Sequence, residues 1–302
     1  MELRQLRYFV KTAEVLNFSE AARALYVTQS TLSQQIRQLE EELDVKLFDR
    51  DSHSVSLTES GQHLLPIAKV TLQDAENCLT RISDLKQMLT GELNIGTTYS
   101  FQPVLTEAVE AFSKQFPGVK LNIVCGTMGN LFERLKHAEL DFVLCFRPNT
   151  TDDEIDAREL FDDHLSVILS EGHPLANNES FSIEDLRPHH LAMPTRETQA
   201  RSAFDRAFPH ENNKLNIQVE INDVNGLLDI VRTTRMLTVL SEATLYQKGG
   251  LKAVPLKASD TQMKGCVLTL KKAYRKRSAD EFIQLLIQSD AVKIRAQKWL
   301  KK

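Results

Sequence analysis

Residues 17–43 read NFSEAARALYVTQSTLSQQIRQLEEEL and predict two short helices joined by a tight turn. Asn17 and Ser19 are capping residues ahead of a first helix that is too short to be stable alone. Thr28 is a favourable N-cap for the second helix, and only two residues separate it from Leu25. The apolar face of the second helix is formed by Leu32, Ile36, Leu39 and Leu43. Two helices joined this closely are typical of a helix-turn-helix.

The flanking residues extend this motif to a winged form. Upstream, Leu3, Leu6, Val10 and Ala13 recur at helical spacing. Downstream, residues 46–50 and 54–58 change to a strand pattern on either side of residues 51–53, which predicts a β-hairpin wing. We therefore assign residues 1–58 to a winged helix-turn-helix domain.

One long helix is predicted next, over residues 59–89. Its apolar residues recur about every 3.6 positions, the α-helical period, and Pro66 should kink or loosen its first turns. An apolar stripe on a protruding helix favours self-association. The alternative is that the stripe packs on the chain's own C-terminal domain.

Residues 90–302 alternate strands and helices twice, a pattern typical of parallel sheets covered by helices. The predicted fold class is therefore α/β, with an N-terminal winged helix-turn-helix, a long linker helix and a two-lobed α/β effector domain. We place lobe I at about 90–161 and 268–302, and lobe II at about 162–267. Ligands of such sheets bind at the carboxyl ends of the strands, so two facing lobes would form a cleft.

Composition excludes several classes of protein. The 302 residues carry a net charge of −4, so any contact with nucleic acid must come from a local patch. The longest apolar runs are far too short to cross a bilayer, and the four cysteines form no CxxC pair. No nucleotide-binding, hydrolase or zinc-protease motif is present. We expect a cytoplasmic protein with no catalytic residues, no metal site, no cofactor and no membrane partner.

The first half of the second helix is the expected DNA-reading surface, because a helix-turn-helix inserts that part into the major groove. Its polar residues are Gln29, Ser30, Thr31, Ser33, Gln34 and Arg37. In the wing, Arg50 and His53 are candidates for phosphate or minor-groove contact. The alternatives are an ordinary solvated helix face and, for His53, an ordinary loop histidine. The acidic residues 40–42 would repel phosphate, so they must point away from DNA or lie past the groove.

Fixed-spacing matches across residues 1–61 resemble the winged-helix domain of LysR-type transcriptional regulators. They are Phe9-Val-x-x-Ala13-Glu-x-x-Asn17-Phe-Ser-Glu-Ala-Ala22, Thr28-Gln-Ser-x-Leu-Ser33, Ile36-Arg-x-Leu-Glu-Glu-Glu-Leu43, Leu47-Phe-x-Arg50 and Leu57-Thr-x-x-Gly61. Gly172-His-Pro-Leu-Ala176 resembles a frequent turn of the family's effector domain. The resemblance implies a homodimer formed through the linker helix, assembly into a homotetramer, and binding to double-stranded promoter DNA.

The same resemblance implies a small-molecule effector bound between the lobes. By position, Ser100 and Thr127 are the expected hydrogen-bond donors, with Arg147 next. The remaining expected contacts are Thr98, Phe101, Pro194 and Thr195. Helix N-termini nearby would favour an anionic group, whereas the alternative is that these Ser and Thr residues only cap helices.

Two departures from the family pattern qualify this expectation. Residues 232–241 lack the usual glycine-rich turn and Leu-Pro ending, which affects any ligand pose carried over to lobe II. No cysteine pair lies near Thr198, which argues against a peroxide-sensing disulfide. We expect an effector-controlled transcription regulator; the alternative is a cytosolic small-molecule binding protein without a DNA-regulatory role.

Overall fold

The computed structural model describes residues 1–50, 54–85, 90–149, 152–245, 248–258 and 261–299. The chain forms two compact units that divide near residue 86. Among the described residues, no helix combines the length and the apolar character needed to span a membrane.

The N-terminal unit contains the predicted elements in the predicted order. They are α1 (Leu3–Val15), α2 (Phe18–Ala24), α3 (Gln29–Leu43), β1 (Phe48–Arg50), β2 (Val55–Leu57) and α4 (Glu59–Leu85). Asn17 caps α2 by accepting a hydrogen bond from the amide of Glu20 at 3.0 Å. Thr28 caps α3 by accepting one from the amide of Thr31 at 3.2 Å. The caps at Asn17 and Thr28 confirm these two predictions, whereas Ser19 was wrongly predicted to precede the helix, because α2 begins at Phe18.

The apolar faces of α1, α2 and α3 enclose one core, in which Phe9, Leu32 and Ile36 are fully buried. The first turns of α4 belong to this core through Ala68, which is buried, and its neighbours Leu64 and Leu72. Beyond them, Leu79 and Ile82 are 76% and 54% exposed. The apolar stripe of α4 is therefore partly used within its own unit and partly left uncovered. The helix is continuous across Pro66, without the break that proline often causes.

Lobe I of the C-terminal unit has a parallel core of strands. β3 (Gly91–Thr97) lies between β4 (Val119–Cys125) and β5 (Phe142–Phe146). The helices of this lobe are α5 (Gln102–Gln115), α6 (Met128–Lys136), α10 (Arg277–Gln288) and α11 (Asp290–Trp299). The carboxyl ends of all three strands lie at one edge of the sheet, where loops precede α5 and α6.

Lobe II combines a parallel pair with antiparallel strands. β7 (His190–Pro194) is parallel to β8 (Asn216–Ile221), while β9 (Thr238–Ser241) and β10 (Leu251–Pro255) are antiparallel to β6 (Ile155–Ser170). The helices of this lobe are α7 (Ile183–Leu186), α8 (Gln199–Ala207) and α9 (Val224–Thr233).

The prediction of two parallel sheets was wrong, because two long strands are shared by both lobes. β6 has 16 residues, and it pairs antiparallel with β11 (Gln262–Leu270), which in turn pairs antiparallel with β5. Residues 165–169 form the end of β6 and not a strand of their own. The register of the β6–β11 pair shifts between Gly265, which pairs with Phe161, and Cys266, which pairs with Glu159, so Leu160 of β6 is an unpaired bulge residue. The proposed lobe borders, at 161/162 and 267/268, and the domain borders at 58/59 and 89/90 stay predictions.

Candidate functional site

Helix α3 presents the predicted DNA-reading residues on one face, opposite its buried apolar residues. Gln29, Ser30, Thr31, Gln34 and Arg37 are exposed, and Ser33 is half-buried. On the other side, Leu32, Ile36 and Leu39 are fully buried. A rigid helix with a polar face directed outward is the geometry that major-groove recognition requires.

On the polar face of α3, the short hydroxyl side chains have hydrogen-bond partners within the protein, whereas the long side chains of Gln29, Gln34 and Arg37 have none among the described residues. The hydroxyls of Ser30 and Thr31 lie 3.0 and 2.8 Å from the Thr28 hydroxyl, so they have partners within the helix cap. In the described part of the chain, the side chains of Gln29, Gln34 and Arg37 make no hydrogen bond. Glutamine and arginine form bidentate contacts with adenine and guanine edges, and these three side chains are available to do so.

Arg50 has an internal role that the sequence did not reveal. Its guanidinium stacks 4.3 Å from the centre of the Phe18 ring and donates to the Ser33 hydroxyl at 3.1 Å. It also donates to the carboxylate of Glu40 at 3.4 Å. The structure thus brings Arg50 beside the α3 face but engages it in folding contacts. His53, the other predicted wing residue, lies outside the described residues.

Glu40 joins the end of α3 to the start of the wing. It is only 4% exposed, and its carboxylate accepts the backbone N–H of Leu47 at 2.8 Å and that of Phe48 at 3.3 Å. Burial of a carboxylate is tolerated when it is hydrogen-bonded and paired, as here. Of the acidic run, Glu40 is buried within the unit, while Glu41 and Glu42 are exposed, and the position of the run relative to DNA stays a prediction.

The cleft between the lobes contains two chambers. The inner chamber, of about 20 Å³, has room for roughly one water molecule. It is lined by Thr98, Tyr99, Ser100, Gly126, Thr127 and Met128 of lobe I and by Glu197, Thr198, Gln199, Ala200, Val224 and Leu240 of lobe II. Three predicted effector residues, Thr98, Ser100 and Thr127, are therefore brought together at the strand ends.

The outer chamber, of about 570 Å³, has the size of a metabolite site. It is lined by Met128, Phe146, Arg147, Pro148, Asn149, Glu197, Gln199, Ser202, Ala203, Arg206, Gln262, Met263 and Lys264. Of the predicted effector residues, only Arg147 lies here. The wall carries three cationic side chains, Arg147, Arg206 and Lys264, against one carboxylate, Glu197.

Two of these cations share a carboxylate outside the chamber. Glu159 accepts hydrogen bonds from Lys264 at 2.9 Å and from Arg147. The Lys264 ammonium, followed by the Arg147 guanidinium, lowers the pKa of Glu159. An anion in the outer chamber would share the Lys264 ammonium and the Arg147 guanidinium with the Glu159 carboxylate, which is itself an anion.

The other predicted effector residues do not line either chamber. Phe101 is fully buried in the core, with its ring 4.9 Å from that of Phe146. Pro194 accepts a hydrogen bond from the buried Arg201 through its carbonyl at 3.1 Å. The Thr195 hydroxyl is buried without a hydrogen-bond partner among the described residues. Within residues 232–241, Leu240 reaches the inner chamber, whereas Arg232 and Arg235 line neither.

One residue that lines the inner chamber has a buried hydroxyl without a partner among the described residues. Thr98 is 6% exposed, and within the described residues nothing bonds its Oγ1 atom. An unsatisfied buried polar group costs about 1–3 kcal/mol. The inner chamber therefore fits a small polar guest, such as water or one end of a larger ligand.

Sequence reasoning missed the residues that join the lobes. The side-chain oxygen of Gln199 accepts the N–H of Phe146 at 3.0 Å, and its amide nitrogen donates to the Phe146 carbonyl at 2.6 Å. Elsewhere in the cleft, Asn225 donates to Gln102 at 3.3 Å. No spacing pattern marks such residues, because each bonds a partner far away in the sequence.

Comparison with known proteins gives one consistent result. A family model described as a bacterial regulatory helix-turn-helix protein of the lysR family matches residues 3–62. A second, described as the LysR substrate binding domain, matches residues 86–291. The transcriptional regulator EstR of Acinetobacter baylyi is 30% identical over 80% of this chain and 80% of its own.

Solved structures have the same fold. A full-length OxyR variant from Pseudomonas aeruginosa superposes with a TM-score of 0.77 at 23% identity, covering 97% of each chain. CbnR in complex with its target DNA superposes with a TM-score of 0.68 at 19% identity, covering 95% of this chain and 99% of that one.

These matches confirm the predicted fold class and the predicted function as a transcription regulator. The family consists of regulators rather than enzymes, and the match over residues 3–62 disfavours a binding protein that lacks a DNA-binding part. With both models in their expected order along the sequence, the chain belongs to the LysR family of bacterial regulatory helix-turn-helix proteins.

Proposed function

We propose that this chain binds promoter DNA through the polar face of α3 and alters that binding when a small anionic molecule enters the cleft between its lobes. The observation that carries the first part is the set of unbonded side chains Gln29, Gln34 and Arg37 on a helix anchored by Leu32 and Ile36. The structure of CbnR on its target DNA supports this use of the fold.

The outer chamber supports an anionic effector. Its volume of about 570 Å³ lies within the range of small-molecule sites, and three of its four charged lining residues are cations. Phe146, Met128 and Met263 supply apolar walls beside them. Such a chamber favours a small carboxylate with an uncharged body.

The uncovered part of α4 supports a homodimer. We propose that two such dimers assemble into a homotetramer. Leu79 and Ile82 repeat at helical spacing and are largely exposed, which is the seam that a partner helix would cover. We place the protein in the cytoplasm, because a regulator must reach chromosomal DNA.

A gel shift tests the proposal directly. Full-length protein should bind the DNA upstream of its own gene in preference to competitor DNA of equal length at moderate salt. A control fragment of the same composition in shuffled order separates sequence preference from phosphate attraction. Equal retention of both fragments would show that α3 does not read sequence.

A further inference from the structure

The Gln199 side chain imitates a neighbouring strand at the end of β5. Its amide offers one acceptor and one donor, and Phe146 uses both, through its N–H and its C=O. Only one orientation of the amide satisfies both partners, so the contact is specific to a carboxamide. Phe146 itself is 2% exposed, which keeps water from its backbone groups.

Gln199 also stands between the two chambers. Together with Met128 and Glu197, it is one of three residues that line both the inner and the outer chamber. It is the first residue of α8 in lobe II, whereas Phe146 ends a strand of lobe I. The pair therefore joins the lobes and divides the cleft at the same point.

We propose that Gln199 determines which effectors are accepted: a molecule that presents a hydrogen-bond acceptor beside a donor replaces the Gln199 amide on Phe146 and joins the two chambers. This selection operates only if the chain has an effector, so it rests on the proposed function. The fitting class is a small carboxylate that also bears a carboxamide or an equivalent donor and acceptor pair.

The reason is the cost of leaving Phe146 unpaired. Breaking the Gln199 contact exposes a buried N–H and a buried C=O that must find new partners. A plain carboxylate supplies acceptors only, and it would face the Phe146 carbonyl with like partial charge. A carboxamide satisfies both groups, while a carboxylate at the other end of the same molecule meets the cations Arg147, Arg206 and Lys264.

The first test reads the contact itself by amide hydrogen exchange on the purified full-length protein. In Gln199→Ala, exchange at the Phe146 amide should accelerate roughly tenfold, the effect of losing one hydrogen bond. Ser202→Ala is the matched control, since Ser202 lines the same chamber on the same helix but, among the described residues, its hydroxyl bonds only the carbonyl of Arg196. Equal protection of Phe146 in Gln199→Ala and wild type would overturn the proposal.

The second test is chemical rescue. Propionamide should restore protection of the Phe146 amide in Gln199→Ala, whereas propionate at the same concentration should not. Gln199→Glu serves as a second variant, because its carboxylate keeps the acceptor and loses the donor. Its protection factor at the Phe146 amide, taken relative to the intrinsic exchange rate at the same pH, should rise at acid pH, where a protonated carboxyl again offers both a donor and an acceptor. Rescue by propionate as good as by propionamide would contradict the selection of a donor and acceptor pair.

The third test uses wild-type protein and two probes of similar size. Succinamate has one carboxylate and one carboxamide. It should raise the melting temperature more than succinate does, because its carboxamide can replace the Gln199 amide on Phe146. A larger shift with succinate would overturn the proposal. These measurements involve no DNA, so their failure leaves the gel-shift result, and with it the proposed DNA binding, unaffected.

Discussion

The carboxylate of Glu40 accepts the backbone N–H of Leu47 at 2.8 Å, which fixes the start of the wing to the end of α3. The same carboxylate holds the guanidinium of Arg50, which in turn bonds Ser33 on α3. One buried acidic side chain thus positions both parts of the winged motif.

Glu40→Ala should therefore destabilise the N-terminal unit by about 1–3 kcal/mol, because it leaves the buried amide of Leu47 without a partner. Thermal unfolding monitored by circular dichroism measures the loss. Glu41→Ala removes the same charge from an exposed neighbour and should leave the melting temperature nearly unchanged. Equal effects of the two substitutions would mean that the Glu40 contacts contribute nothing beyond surface charge.

Arg37→Ala and Gln29→Ala should each weaken binding to the preferred DNA by about 1–3 kcal/mol, the usual worth of a base contact. Both side chains are exposed and unbonded among the described residues, so the fold should not change. Titrated gel shifts give the affinities. Lys114→Ala, which removes one exposed cation from α5, is the charge-matched control. Wild-type affinity in both α3 variants would place the recognition surface elsewhere.

Lys276→Met should destabilise the C-terminal unit by about 3–5 kcal/mol, because it leaves the buried carboxylate of Asp141 without its cation. Lys276 is 5% exposed, and its ammonium bonds the Asp141 carboxylate and the Glu92 carbonyl at 3.0 and 2.9 Å. Chemical denaturation measures the loss, and Asp141→Asn in the same chain should recover part of it. No recovery in the double variant would show that the charge of Asp141 is not the cause.

The cost of Lys276→Met should also depend on pH. Burial raises the pKa of Asp141 in the folded protein, and the Lys276 ammonium opposes that rise. Without the ammonium the pKa rises further, so ionisation of Asp141 costs folding free energy as the pH passes upward through the folded pKa. The deficit should be largest at neutral pH and shrink in acid. A deficit independent of pH would argue against an uncompensated Asp141 charge.

Gly265→Ala should destabilise the shared strands by about 1–3 kcal/mol through overpacking. A Cβ atom at Gly265 would lie 2.7 Å from the ring of Phe161, which is 5% exposed and packs against Phe101 at 5.6 Å. Thermal unfolding measures the effect. Gly129→Ala is the control, because no described atom outside its chain neighbours and its own helical turn lies within 4 Å of the added methyl group. Equal melting temperatures for both variants would mean that the ring moves freely.

Local signals predicted the N-terminal unit well. The cap residues Asn17 and Thr28, and the apolar face of Leu32, Ile36 and Leu39, depend only on near neighbours in the sequence. The polar face of α3 is where it was expected, and its role as a DNA-reading surface stays a prediction.

Long-range pairing set the limit of sequence reasoning. The first half of β6 is largely polar, so its sequence gives no strand signal until β11 pairs with it. Phe101 was assigned to the effector site by its loop position, yet its apolar ring packs in the core. Glu40 and Gln199 were missed because their partners, the backbones of Leu47 and Phe146, are chosen by the tertiary fold.

The continuity of β6 and β11 through both lobes limits how the cleft can widen. Because hydrogen bonds join β6 to β11 along both strands, a change in the angle between the lobes would bend these strands together and would not slide one past the other. Such a bend produces its largest displacement at the lobe surfaces farthest from the two strands. Binding of a metabolite would thus be transmitted as a change in the tilt of one lobe relative to the other.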